Sequence, residues 1–266
     1  MGAIRVIVAG AAGRMGQETV RALASPEFEV VAAVDKQCNG ESARTVIGPT
    51  VPDIPVQNKL GETLDSVPAD VMVDFTHPSS AASNTLSALK RGVPVVIGTS
   101  GLSNEDMSAI REACGESGKA ALLVPNFAIG AILMMRFAEI AAAWFPHAEI
   151  IELHHDGKAD SPSGTACRTA EIIADARESV PRGVIHPIEK YAGARGAKVK
   201  GINVHSVRLP GYVAHQEILF GGPGEVLTVR HDSMDRKSFM EGVKLACREV
   251  GSLQGLVVGL DKLMFR

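Results

Sequence analysis

Between residues 4 and 127 the chain repeats one pattern: a short apolar, β-branched run, a turn, then a longer run with helical spacing. The strand-like runs are residues 4–9, 28–34, 70–75, 93–97 and 120–124. Helical spacing follows at 15–23, 79–91 and 104–115, and a long apolar helix is expected over 128–145. Strands that are apolar at nearly every position have no face to give to water. They fit a parallel sheet covered by helices on both sides. In such sheets ligands bind beyond the carboxyl ends of the strands. Those ends carry Thr76-His77, Gly98-Thr99-Ser100 and Pro125-Asn126-Phe127.

The first strand runs into Gly10-Ala11-Ala12-Gly13-Arg14-Met15-Gly16. Strand, glycine turn and helix are the parts of a dinucleotide-binding βα unit, in which a pyrophosphate meets backbone N–H groups and the positive end of the helix dipole. The spacing is GxxGxxG rather than GxGxxG, so the glycines alone are a weak signal. The second strand ends at Asp35-Lys36, about 20 residues after the turn, where an acid accepts hydrogen bonds from an adenosine ribose. The Asp35 carboxylate favours NADH, while the Lys36 ammonium offsets repulsion of a 2′-phosphate and keeps NADPH open. The plain alternative is a strand-end Asp that starts a turn. His77 reads equally as a cofactor contact or as a strand-end residue near solvent.

Bulk composition narrows the classes of function. A length of 266 residues suits two modest domains, each with its own core. Apolar residues are 45 % and charged residues 21 %, with net charge −3, so no basic surplus points to nucleic acid or an anionic membrane. Cys38, Cys114, Cys167 and Cys247 form no CxxC pair. They read as reduced thiols of a cytoplasmic protein, and no metal centre is expected. No signal peptide is expected either, since the apolar run after Arg5 is short and ends in glycines. Residues 128–145 contain Arg136 and Glu139 and are too short and too charged to span a bilayer.

After residue 148 the rhythm changes to an α+β pattern. A strand at 148–153 leads into Glu152-Leu-His-His-Asp-Gly-Lys-Ala-Asp-Ser-Pro-Ser-Gly-Thr-Ala166, and a helix follows over 165–178. An irregular loop is expected at 180–201, with Arg182, Lys190, Arg195, Lys198 and Lys200 as a solvated surface. Strands at 203–209, 212–220 and 225–231 are separated by Gly-Pro-containing turns and are expected to pair antiparallel. A helix at 238–251 and an apolar tail at 253–263 close the chain, while residues 37–60 look irregular.

The loop after residue 152 holds two imidazoles, His154 and His155, and one ammonium, Lys158. Ser163-Gly164-Thr165 then opens a helix, whose first N–H groups bind anions. Proton donors beside an anion cradle fit a small acidic substrate that receives a proton. The competing reading is a surface turn with a Ser cap and incidental histidines. If strand geometry continues through His155, the two rings point to opposite faces.

The whole chain resembles the 4-hydroxy-tetrahydrodipicolinate reductase (dihydrodipicolinate reductase) family. Residues 152–166 look like its E-x-H-H-x-x-K-x-D-x-P-S-G-T-A signature without a gap, and residues 8–16 look like its nucleotide-binding opening. Val73-Asp-Phe-Thr-His-Pro78, Ile97-Gly-Thr-Ser-Gly101, Asn126-Phe127 and Val207-Arg-Leu-Pro-Gly211 with His215-Gln-Glu217 fall in the expected order. The resemblance implies an α/β fold: a Rossmann-type parallel-sheet dinucleotide domain (1–127 plus 235–266) and an α+β mixed-sheet domain for substrate and tetramerisation (128–234). It implies reduction, with NADH or NADPH, of the cyclic imine formed when 4-hydroxy-tetrahydrodipicolinate loses water, in the diaminopimelate and lysine pathway. The partners it implies are a small dicarboxylate substrate and other copies of the chain in a cytoplasmic homotetramer. By carry-over, His154 and Lys158 supply protons, and His155, Ser163, Gly164 and Thr165 hold the substrate. Gly10, Ala11, Ala12, Gly13, Arg14, Met15, Asp35, Lys36, Gly98, Thr99, Ser100, Val124, Pro125, Asn126 and Phe127 contact the cofactor, with some preference for NADH. Two rivals stand beside this reading. One is another NAD(P)-dependent amino-acid or semialdehyde dehydrogenase on the same two-domain plan, and the other is a non-catalytic dinucleotide-binding regulator.

Overall fold

A computed structural model of the chain describes residues 2–38, 40–178 and 188–265. The chain divides into two compact units, Met1–Phe127 with Phe239–Arg266, and Ala128–Ser238.

The first unit opens with β1 (Ile4–Ala9), α1 (Arg14–Leu23), β2 (Phe28–Val34), α2 (Ala43–Val46), β3 (Val56–Gln57) and α3 (Leu60–Ser66). It continues with β4 (Val71–Asp74), α4 (Pro78–Lys90), β5 (Val95–Ile97), α5 (Asn104–Ser117) and β6 (Ala121–Leu123). The second unit contains α6 (Ile129–Ala142), β7 (His147–His154), α7 (Gly164–Ala176), β8 (Ala197–Val199), β9 (Ile202–Arg208), β10 (Ala214–Gly222) and β11 (Glu225–Ser233). The chain then returns to the first unit as α8 (Met240–Glu249), β12 (Leu256–Val258) and α9 (Asp261–Met264).

The first unit is built on a parallel seven-stranded sheet in the order β12-β6-β5-β4-β1-β2-β3. All four residues of β4 and all three of β5 are buried, as strands covered on both faces must be. From β1 the chain proceeds outward to β2 and β3 on one side and to β4, β5 and β6 on the other. The strand order therefore reverses between β1 and β4, the place where such sheets bind ligands. The region expected to be irregular, residues 37–60, holds the short elements α2 and β3, and Asn39 lies outside the described residues. The apolar tail supplies an edge strand: β12 pairs in parallel with β6.

The second unit is a five-stranded mixed sheet in the order β11-β10-β7-β9-β8, with α6 and α7 packed on one face around Ile150, Ile173, Ile218 and Phe220. Two expectations fail here. Strands β9 and β10 do not pair with each other, because β7 lies between them, parallel to β9 and antiparallel to β10. The Pro210-Gly211 turn signal reports only that the chain reverses. Residues 209–213 cross the end of β7, where Leu209 N–H donates to the His154 carbonyl at 3.1 Å. The loop expected at 180–201 also contains a strand, β8, antiparallel to β9. Lys190, Arg195, Lys198 and Lys200 are exposed as expected, and Arg195 in addition pairs with Glu149. Arg182 lies outside the described residues.

Ile150 is fully buried in this second core. Ile150→Ala is expected to lower stability in urea unfolding by about 2–5 kcal/mol through lost burial and a residual cavity. Val226→Ala, at a residue 70 % exposed, should stay within about 0.5 kcal/mol. Equal losses at the two positions would contradict this packing.

Candidate active site

In the first unit the turn after β1 is set by contacts that leave no room for side chains. Gly10 has φ +79°, and a Cβ there would come within 2.5 Å of the Phe75 carbonyl oxygen. A Cβ on Gly16 would lie 2.0 Å from the Gly10 carbonyl oxygen. Both glycines thus serve the internal packing of the turn, a role beyond the close ligand approach that sequence reasoning gave them. Gly13 precedes α1 with no side-chain cap, and the first turn of α1 holds Arg14 and no acid. A ten-residue helix with an uncapped, acid-free N-terminus fits an anionic pyrophosphate.

The carboxylate of Asp35 folds back onto this turn. Its Oδ2 accepts from Ala12 N–H at 3.0 Å and its Oδ1 from Gln37 N–H at 3.0 Å. Each oxygen keeps lone-pair capacity for a further donor such as a ribose hydroxyl. Lys36 Nζ donates to Ser80 Oγ at 3.1 Å. Asp35, Lys36, Gly10, Thr76, Ser80 and Asn84 border a cavity of about 290 Å³ at the reversal of strand order. Ser80 and Asn84 were not legible from sequence, since they lie inside the α4 pattern. His77 serves as the N-cap of α4, its Nδ1 accepting from Ser79 N–H at 3.3 Å.

The remaining cofactor candidates sit at the ends of β5 and β6. Gly98 N–H donates to the Asp74 carbonyl at 2.9 Å, and Val124 N–H to the Ile97 carbonyl at 2.9 Å. Thr99 is buried and Ser100 exposed. Val124 and Phe127 are buried, Pro125 is exposed, and Asn126 is half-buried. The Phe75 and Phe127 rings pack 5.4 Å apart. A Cβ on Gly98 would strike the Phe75 ring at 2.1 Å. Ala11 is buried, Ala12 and Met15 are half-buried, and Arg14 is exposed.

In the second unit the chemistry gathers around a carboxylate that sequence reasoning left without a role. Glu152 is fully buried on β7. His154, two residues on and on the same strand face, brings Nδ1 to Glu152 Oε2 at 2.5 Å. Arg208 on β9 forms a fork with the same carboxylate at 2.8 and 2.7 Å. Ser163 N–H donates to Glu152 Oε1 at 3.2 Å. Burial pushes the Glu152 pKa up, but hydrogen bonds from His154, Arg208 and Ser206 outweigh it and bring it down to about 2. The carboxylate is therefore ionised at neutral pH and only accepts, so the proton of the contact resides on His154 Nδ1. That leaves Nε2 as the ring position open to exchange. Arg208 appeared in the sequence only as part of the Val207–Gly211 resemblance. Its pairing needs β9 beside β7, which the sequence alone does not give.

The strand ends at His154, so His155 leaves it as an exposed loop residue. Lys158 Nζ donates to Asp160 Oδ1 at 2.6 Å, and this contact holds the Asp160 carboxyl below the usual range. Arg208 also donates to the Asp160 carbonyl at 2.7 Å, which ties the Lys158 loop to the Glu152 pair. Ser163 caps α7 by accepting from Ala166 N–H at 3.2 Å. Gly164, at the first helical position, has open space where a side chain would be. Thr165 is half-buried, and its carbonyl accepts from Thr169 Oγ1 at 2.8 Å. The structure thus brings His154, Glu152, Arg208 and Ser163 into one hydrogen-bonded group. Among the described residues no cluster of His, Cys, Asp and Glu could hold a metal ion, and no helix is long and apolar enough to cross a membrane.

Because Glu152 titrates below its ordinary value of 4.5, its contribution to stability is complete above about 4.5 and is lost as pH falls toward about 2. Glu152→Gln should remove that part of the acid-side slope. Urea midpoints of the two proteins, compared from pH 6 down to pH 3, should converge as pH falls. Parallel curves would contradict the depressed value.

Comparisons with known proteins agree across the whole chain. Residues 4–127 match the family model "Dihydrodipicolinate reductase, N-terminus", and residues 130–264 match "Dihydrodipicolinate reductase, C-terminus". A protein of Syntrophomonas wolfei named 4-hydroxy-tetrahydrodipicolinate reductase is 48 % identical over 261 residues, 98 % of each chain. One of the same name from Listeria monocytogenes is 46 % identical over 98 % of this chain and all of its own. Among solved structures, the dipicolinate-bound dihydrodipicolinate reductase of Paenisporosarcina sp. TG-14 superposes with TM-score 0.87 at 42 % identity, covering 98 % of this chain and 99 % of that one. A dehydrogenase from Chromobacterium violaceum, TM-score 0.64 at 14 % identity, shares the fold alone. With both halves matched and relatives near half identity over the full length, the chain belongs to the dihydrodipicolinate reductase family.

Proposed function

We propose that this chain reduces the cyclic imine derived from 4-hydroxy-tetrahydrodipicolinate to tetrahydrodipicolinate, with His154 as the proton donor. The observation that carries the reading is the hydrogen-bonded group on Glu152. A buried carboxylate holds Nδ1–H of His154 throughout, so Nε2 is the position that takes up a proton, forming the imidazolium, and gives it to the substrate. The family membership and the names of the relatives supply the substrate class.

The dinucleotide, NADH or NADPH, supplies a hydride when bound. In the first unit the uncapped start of α1 and Arg14 offer positive potential to its phosphates, and Asp35 and Lys36 meet its adenosine ribose. In the second unit His154 delivers a proton to the carbon left electron-rich after hydride addition. As Nε2 loses its proton, the Glu152 carboxylate keeps Nδ1 protonated and the ring in place. Arg208 neutralises Glu152 in the fold, which keeps that carboxylate an acceptor rather than a competing acid. Lys158 serves as the second donor. Ser163, Gly164 and Thr165 receive one substrate carboxylate at the N-terminus of α7, with His155 at the exposed edge of the loop. Dipicolinate, the aromatic dicarboxylate in the Paenisporosarcina structure, has the shape and charge that such a cradle suits.

The two units then take distinct duties: 1–127 with the C-terminal segment for the dinucleotide, and the middle segment for the substrate. The middle segment also serves assembly into a homotetramer. What supports assembly is the sheet face opposite α6 and α7, where Ile151, Val207 and Leu219 are only half-buried in the single chain. A cytoplasmic location follows from the biosynthetic role.

The decisive experiment supplies substrate in place from pyruvate and aspartate semialdehyde with the preceding synthase, and follows NADH and NADPH separately. Cofactor oxidation that requires every component is expected, with kcat/KM higher for NADH. Binding of NADH without turnover would overturn the proposal in favour of a regulator. His154→Ala should lose about 10² to 10⁴ in kcat while still binding NADH. Near-normal turnover in that variant would remove His154 from the role. Ile151→Lys should shift the sedimentation of the protein to smaller species, and an unchanged profile would count against assembly through this sheet face.

A further inference from the structure

Asp74, the last residue of β4, is fully buried in the middle of the parallel sheet. Among the described residues no Lys, Arg or His forms an ion pair with it. Its carboxylate is instead met by four neutral donors. Oδ1 accepts from Thr76 N–H at 3.0 Å, Thr76 Oγ1 at 2.8 Å and Thr99 Oγ1 at 2.9 Å. Oδ2 accepts from Asn84 Nδ2 at 2.9 Å. Thr76 lies in the turn after β4, Thr99 in the turn after β5, and Asn84 on α4.

Burying a carboxylate is costly unless its hydrogen bonds are made. Joining β4 to β5 does not require this one, since the backbone ladder and Gly98 N–H on the Asp74 carbonyl already do so. What the carboxylate adds is a link between two turns that the ladder leaves independent. Both turns stand at the carboxyl ends of central strands. Thr76 and Asn84 border the cavity beside the glycine turn, and Thr99 is within the Gly98–Ser100 segment. The link also commits the Thr99 hydroxyl proton to Asp74, so the Thr99 oxygen is left as an acceptor.

Resting on the dinucleotide reading above, we propose that Asp74 is a positioning residue for the cofactor. Its buried carboxylate locks the turns after β4 and β5 into one preformed edge of the dinucleotide site, without itself touching the ligand. The energy of ordering these turns is then spent in folding rather than in binding.

The test uses the intact chain, with NADH affinity read by fluorescence titration and kinetics with both substrates. Asp74→Asn cannot accept from all four donors, because its amide presents N–H groups on one side. It should raise the Kd and KM for NADH about tenfold or more, with kcat and the KM for the imine changing less than about threefold. The reciprocal swap, Asp74→Asn with Asn84→Asp, restores a complete donor and acceptor set and should return the Kd to within about threefold of the parent. An Asp74→Asn protein that binds NADH within twofold of the parent, or a folded swap that recovers nothing, would overturn the proposal. Thr99→Val gives a readout that needs neither cofactor nor an Asp74 variant. Because Thr99 reaches the other turn through Asp74, exchange of the Thr76 amide hydrogen should speed up about tenfold in the ligand-free variant, and unchanged exchange would overturn the link. If the parent itself fails to bind NADH, it is the dinucleotide reading that has failed, and the exchange experiment still decides the link.

Discussion

The buried charge of Glu152 is the constraint on which the second unit depends. An ion removed from water loses solvation that only close, well-directed partners replace. Glu152 therefore requires a guanidinium on one side, an imidazole two residues along its own strand, and a backbone N–H from the start of α7. Those requirements put β9 against β7, bring the loop of residues 155–163 back over the strand end, and fix where α7 begins. The order of strands in this sheet, which turn signals alone misjudge, is consistent with the demand of one carboxylate for Arg208. Its low pKa follows from the same partners, and with it the tautomer of His154.

Each unit contains a fully buried carboxylate near its candidate ligand-binding residues, Asp74 in the first and Glu152 in the second, but the two have different partners. Glu152 is paired with Arg208 and holds Nδ1 of His154, so it governs which ring nitrogen carries the proton. Asp74 faces only neutral donors and joins two turns, so it governs geometry. Asp35, partly exposed, does a third thing, fastening the glycine turn to the end of β2 while keeping lone pairs for a ligand. Residues of one chemical type thus take distinct roles through burial and partners.

Fold and chemistry carry separate information here. Dehydrogenases at 10–14 % identity share the two-unit plan, so the parallel sheet and its glycine turn do not select a reaction. The segment from Glu152 to Thr165 is more particular: it places an imidazole bound to a buried carboxylate, an ammonium held by Asp160 and a helix N-terminus in a single stretch of chain. The family models match both halves of the chain, residues 4–127 and 130–264.

The sequence by itself determined the parallel sheet, because strands apolar at nearly every position are satisfied only between two layers of helices. It determined the glycine turn, the acid at the end of β2 and the His-His-Lys loop before a Ser-capped helix, because each depends on neighbours within a few residues. It also indicated the similarity to the family, through an ungapped fifteen-residue stretch. Tertiary structure alone decided the rest, since those features depend on partners far apart in the chain. Arg208 is brought to Glu152 by a parallel pairing that no local signal encodes. Thr99 and Thr76 meet at Asp74 because β4 and β5 are adjacent. The use of Gly10 and Gly16 for internal packing appears only once the Phe75 and Gly10 carbonyls are in place. The edge strand β12, an apolar tail in the sequence, gains its meaning from the exposed side of β6. Local chemistry is written in order along the chain, whereas the partners of a buried charge are chosen by the fold.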